Sequence, residues 1–332
     1  MAYTTINKST DYFNTKLYTG NGSNNHTITG VGFDTDLAWI KNRGGDDHRL
    51  FDKVRGVNKF VKSNTTDAET TDAIFTTNSD GYVVTNAGEV NANNQNFVGW
   101  NWKANGAGSA NTDGSISSTV SVNTTAGFSI VSFNQASSPQ TIGHGLNSVP
   151  KIIFIKDRDS VANWQVYSES IGASNKLLLD STNASASSGV FNSTAPTSSV
   201  FTFNSNFGST IAYCFAEKTG YSKFGSYLGN GNADGTFVYT GFKPAWIMAK
   251  KSNSTGNWVI VDTKRDGYNG ANDTLQANVT DVESGGNRFD IVSNGFKARS
   301  TSSYSNSTGD TFIYMAFGQS LVGSNNVPCT AR

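Results

Sequence analysis

The chain has 332 residues, its 25 Lys+Arg are balanced by 25 Asp+Glu, and only 15% of its positions are charged. Zero net charge without any basic run argues against a polyanionic partner, so no nucleic acid is expected. With 36% hydrophobic and 12% aromatic residues beside 34 Gly and 5 Pro, the chain can bury real cores, and its length suits two or three domains.

In chain order, Met1 to Thr10 lacks a basic segment followed by an apolar stretch, and no later run approaches the roughly 20 apolar residues that span a bilayer, so neither a secretion signal nor membrane insertion is expected. Leu37-Ala38-Trp39-Ile40-Lys41 is the first of three apolar strands ending in lysine; Ile152-Ile153-Phe154-Ile155-Lys156 and Trp246-Ile247-Met248-Ala249-Lys250 are the others. Pro150 and Pro244 precede the second and third copies where the first has Thr35, and proline is tolerated at the first residue of a strand. A second strand follows in each: His48-Arg49-Leu50-Phe51-Asp52, Trp164-Gln165-Val166-Tyr167 and Trp258-Val259-Ile260-Val261-Asp262. Each copy then closes on an aromatic strand at Trp100-Asn101-Trp102, Tyr213-Cys214-Phe215 and Tyr314-Met315-Ala316-Phe317. The intervals from lysine to closing aromatic agree within a loop's length.

Short runs of Val, Ile, Phe, Tyr and Thr with period-two alternation, punctuated by turns such as Ser79-Asp80-Gly81 and Ser293-Asn294-Gly295, predict strands with few helices. On the second strand, Trp164, Val166 and Ser168 share one face, which the bulky apolar rings mark as the core side. The expected fold is all-β, as three tandem antiparallel β-sandwich repeats of lectin-like or jelly-roll-like type. The first repeat, with a short N-terminal segment, takes 1–105, a linker able to add an edge strand takes 106–126, the second repeat takes 127–220, and the third, with a C-terminal tail, takes 221–332.

Chemistry is sparse. His26, His48 and His144 are the only histidines, and none stands at metal spacing from a cysteine or another histidine; His144 reads as a structural turn residue. Cys214 lies in the apolar run Ile211 to Ala216 and reads as core, far from Cys329. Asp34-x-Asp36 and Asp157-Arg158-Asp159 could begin a calcium loop, but the full ligand spacing is missing and Arg158 suggests a solvated turn or a surface pair. No strand-to-helix Gly-x-Ser-x-Gly elbow and no phosphate-loop ending is present, so no catalytic residue, metal or cofactor is expected. Lys41, Lys156 and Lys250 read as snorkelling or as protection of strand edges. If a glycan is bound, the candidates are tyrosines in polar loop contexts, Tyr18, Tyr227, Tyr268 and Tyr304, whose rings could stack on a sugar face. What the copies share is apolar residues, glycines and one lysine, so what repeats is a scaffold, made to bind or to build.

Several segments carry a resemblance: Met1 to Lys8, Asp11 to Tyr18, Ile211 to Glu217, Ser222 to Tyr239 and the ending Val327-Pro328-Cys329-Thr330-Ala331-Arg332. Together they resemble a family of repeat-containing virion structural proteins of tailed phages infecting marine bacteria, often labelled tail fibre. The resemblance implies a virion component assembled in the host cytoplasm, touching other virion proteins and a host surface polysaccharide, and a homo-oligomer such as a trimer. It supplies no catalytic residues. A tail-fibre or receptor-binding role is the first expectation and a capsid-decoration or head-fibre role the second.

Overall fold

The computed structural model describes residues 4–320 except 136, 137, 267, 268 and 270–272. Strand accounts for 43% and helix for 3%, so the all-β expectation holds. Every strand pairing within the sheets is antiparallel.

Three large sheets share one order of strands. In the first, the order is Phe13–Thr19, Asn96–Trp102, Leu37–Asn42, Arg49–Asp52, Lys59–Val61 and Thr70–Thr71. The second runs Phe128–Asn134, Ser209–Ala216, Pro150–Asp157, Gln165–Ser168, Asn175–Leu178 and Ala186–Ser187. The third runs Ser222–Leu228, Thr311–Gly318, Pro244–Lys251, Val259–Asp262 and Leu275–Gln276. Registers match as well, with Leu37 opposite Trp102, Ile152 opposite Phe215 and Trp246 opposite Phe317. Pro150 and Pro244 each open their strand, where a missing N–H costs the ladder nothing. Ser109–Asn111 and Ser118–Asn123, both within 106–126, extend the second sheet at its edge.

The central strands are buried on both faces, and alternation divides their side chains between two cores. One face of each large sheet packs on a small sheet. In the first stretch, Ala38, Ile40 and Phe51 meet Ile28, Tyr82 and Val84. In the second, Ile153, Ile155 and Cys214 meet Ile142, Phe201 and Phe203. In the third, Ile247, Ala249 and Val261 meet Val238, Phe289 and Phe296. The opposite faces of all three large sheets converge on a single cluster that holds Trp39, Trp100 and Trp102 with Phe154, Trp164 and Phe215 and with Trp246, Trp258 and Phe317. Trp102 lies edge-on to Trp246 at 5.9 Å, and both Trp102 and Phe215 contact the Phe317 ring, at 5.8 and 6.0 Å. The tryptophan face is thus core, as its sequence implies, and the face bearing Tyr167 is core too. Fully burying side chains of this size contributes roughly 1.5–3 kcal/mol each, so the shared cluster is a large part of what holds the molecule together.

Candidate functional site

Where the three large sheets meet, the repeated polar residues all perform one task. Lys41, Lys156 and Lys250 have no exposed surface. Lys41 Nζ donates to the carbonyls of Asn42, Gly45 and, from the third stretch, Thr280. Lys156 Nζ donates to Ala162 at 2.8 Å and to Thr66 of the first stretch at 3.0 Å. Lys250 Nζ donates to Lys251 at 2.8 Å and to Thr182 of the second stretch at 3.2 Å. The snorkelling or edge-protecting role expected of these lysines is therefore corrected. Each strand ends against a neighbouring stretch, so the ammonium has no water to reach and satisfies carbonyls instead. Burial lowers the lysine pKa values to about 8, 8 and 7 respectively.

The ring nitrogens at the head of the second strand make the same connection. Trp164 Nε1 donates to the Lys62 carbonyl of the first stretch at 2.7 Å, and Trp258 Nε1 to the Leu178 carbonyl of the second at 2.8 Å. His48 holds the corresponding place in the first stretch, with Nε2 3.0 Å from the Gln276 carbonyl of the third. Its Nδ1 accepts from Trp39 Nε1 at 2.9 Å, which fixes the proton on Nε2 and requires a neutral ring. Burial, reinforced by the nearby Lys41 ammonium, pushes its pKa down to about 3. Backbone bonds run in parallel: Glu283 N to Arg43 O, Glu69 N to Arg158 O, and Ser185 N to Ser252 O. The first stretch thus grips the third, the second grips the first and the third grips the second, which closes a ring.

Two of the three joints add a buried ion-pair network. In one, Arg55 Nε donates to Asp52 at 2.5 Å and NH1 to Glu69 at 3.1 Å; Glu69 also receives Arg158 of the second stretch at 2.8 and 2.9 Å, and Tyr213 donates its hydroxyl to Asp52 at 2.7 Å. In the other, Arg265 bonds Asp262 at 2.6 Å and Glu283 at 2.8 Å, Arg43 of the first stretch reaches Glu283 at 2.7 Å, and Trp100 Nε1 donates to Asp262 at 3.1 Å. The third joint has Ser168, Ile171 and Ser185 where the others have Asp, Arg and Glu, and it offers Ser252 and Met315 in place of the arginine and the aromatic donor. Arg158, expected in a solvated turn or a surface pair, instead pairs with Glu69 across the joint with both side chains largely buried. The sequence signal of these networks is Asp52-x-x-Arg55 and Asp262-x-x-Arg265, which stand at matching places after matching strands; it does not show that their partners come from another stretch.

Of the candidate ligand tyrosines among the described residues, Tyr227 and Tyr304 pack on one core in the third stretch and Tyr18 packs on another in the first. Tyr18 lies inside the Phe13–Thr19 strand, stacked on Phe97 with centroids 5.1 Å apart, and its hydroxyl donates to Val90 O. Tyr227 lies inside the Ser222–Leu228 strand, buried, stacked on Phe312 at 5.1 Å and donating to Ser305 O. The polar-loop placement expected for both is corrected: each is a strand residue whose ring covers a core. Tyr304 is half-buried with Arg288 5.1 Å above its ring, and Tyr268 lies outside the described residues. The acidic pairs are spent locally. Asp36 accepts from the amides of Ala104 and Gly106 and pairs with Lys53, and Asp159 accepts from Ser209 N. Buried His144 bonds Thr197 O and accepts from Leu146 N, and buried Cys214 is a core thiol whose pKa burial pushes up. Among the described residues no cluster of three or more His, Cys, Asp or Glu could hold a metal, and no helix is long and apolar enough to cross a membrane.

A family described as a domain of unknown function (DUF7483) matches residues 8–320. The chain belongs to this family. The match runs through all three large sheets, so the family unit is the closed ring and not one of its thirds. No curated protein matches the chain.

Proposed function

We propose that this member of the DUF7483 family is a non-enzymatic virion structural protein of a tailed phage, built of three β-sandwich repeats of lectin-like or jelly-roll-like type. The observation that carries the reading is that the polar residues repeated along the chain are consumed in joints between its thirds, which makes a stiff block and leaves outer loops free to vary. Neutral net charge and abundant amides suit such a block, which stays soluble by hydrogen bonding in high salt. The preferred role is a tail-fibre or receptor-binding component that recognises a host surface glycan and works as a homo-oligomer such as a trimer. A capsid-decoration or head-fibre role is favoured by a different observation: of the four tyrosines expected to meet a sugar, Tyr18 and Tyr227 spend their rings on packing.

The test mixes labelled protein with host cells and, separately, with tailless phage heads, and follows sedimentation. Saturable binding to cells, competed away by free host polysaccharide, is the result expected for receptor recognition. Binding to heads alone would replace that role with decoration, and binding to neither would remove the virion reading.

A further inference from the structure

The small sheet of each stretch has an outer edge strand, and the three edges are finished differently. These strands are His26–Ile28, Gln140–Gly143 and Phe237–Tyr239. Ile28 opposite Tyr82, Ile142 opposite Phe201 and Val238 opposite Phe296 set a common register, with all three aliphatic residues buried. The residues flanking that position are exposed Thr27 and Thr29 in the first stretch, Thr141 and Gly143 in the second, and Phe237 and Tyr239 in the third.

In the second stretch this edge is already occupied by the chain itself. Ser115 exchanges bonds with Thr141 through its amide and hydroxyl, Ile116 forms a parallel bridge with Ile142, and Ser118 Oγ donates to Gly143 O at 2.9 Å. Gly114 lies so close over the Thr141 carbonyl that a Cβ there would come within 2.3 Å of it. In the third stretch, Ala298 N bonds Thr236 O and Thr240 N bonds Asn294 O, so antiparallel alternation turns the amides and carbonyls of Phe237 and Tyr239 away from the sheet. No described residue bonds to those outward groups. Phe237 and Tyr239 are 47% and 62% exposed. An edge of this kind, with open backbone groups and exposed aromatics, is what proteins ordinarily blunt or cover; the first stretch carries threonines at the matching positions and lacks the aromatic rings.

We propose that the Phe237–Tyr239 edge accepts an extended polypeptide segment from another protein chain. That segment pairs parallel to the edge as residues 114–118 do on the second stretch, and it is made of small polar residues around one β-branched aliphatic residue. Its amides and carbonyls meet the outward groups of Phe237 and Tyr239, and the two rings flank it where Thr141 and Gly143 flank the internal segment. The internal precedent favours polypeptide over sugar, since the same edge in the same chain already takes one.

A fluorescent peptide of the sequence Asn111–Thr119 is the probe, titrated into the intact chain and read by anisotropy, with amide hydrogen exchange read at Phe237 and Tyr239. Expected are saturable binding, slowed exchange at both amides, and at least tenfold weaker binding either to the Phe237→Thr/Tyr239→Thr variant or by a peptide carrying Ile116→Pro. The threonines are those of the first stretch, so the variant keeps its fold, checked by an unchanged unfolding midpoint. Absent binding, equal binding to the threonine variant, or protection of this edge by host polysaccharide but not by peptide would overturn the proposal.

Discussion

Asp52 and Arg55 are both wholly buried, so neither charge tolerates losing the other. Asp52→Ala takes the Nε partner from buried Arg55, which keeps Glu69 and the Leu50 carbonyl, and removes the acceptor of the Tyr213 hydroxyl; it should lower unfolding stability by roughly 3 kcal/mol, read from the urea midpoint at constant slope. Asp262→Ala should behave alike, because Arg265 and Trp100 lose the same partner. His48 adds a pH dependence. Its folded pKa lies near 3, below the ordinary 6.5, so the unfolded state takes up the proton first as pH falls. Stability from this residue is complete above about pH 6.5 and is lost progressively toward pH 3, on the order of 3 kcal/mol by pH 4. His48→Gln keeps a donor and an acceptor without titrating, so the melting temperature of that variant should fall less between pH 6.5 and 4 than that of the wild type. Equal falls would remove His48 from the account. At this scale the sequence was legible for what is apolar, Cys214 and the tryptophans; His144 is structural as expected, though it sits buried just past the Gln140–Gly143 strand and not in a turn. The sequence was illegible for Asp52, Arg55 and Glu69, whose partners Arg158 and Tyr213 come from a distant stretch with no local periodicity to announce them.

The strands were legible because alternation and proline placement are local. Their burial on both faces was not, since a run such as Ile152 to Lys156 looks the same whether one sheet or two pack against it. That second covering is what turned the terminal lysines from expected edge guards into buried donors. Lys250 has the lowest pKa of the three, about 7. Between that value and the ordinary 10.5 the unfolded chain holds a proton that the folded chain has released, so wild-type stability gains from this residue as pH rises through that window. The stability of wild type relative to Lys250→Met should therefore increase from pH 7 to pH 10, measured by urea unfolding at each pH. A difference that is flat or declines would mean that the Thr182 and Lys251 carbonyls hold the ammonium as firmly as water does.

For the whole molecule, repeat spacing in the sequence announced three similar stretches and could not tell beads on a string from a closed ring, because the decisive contacts, such as Lys41 with Thr280, join the two ends of the chain. The shared cluster of Trp102, Phe215, Trp246 and Phe317 leaves no third of the chain with a core of its own on that face. Residues 127–220 expressed alone should expose Phe154, Trp164 and Phe215 and bind a hydrophobic dye or aggregate, where a soluble, cooperatively folding fragment would show that the joints are dispensable. The most direct test of the ring is scanning calorimetry of the intact chain at neutral pH. One transition, with calorimetric enthalpy equal to the van't Hoff enthalpy, is the expected result; two or three resolved transitions would contradict it.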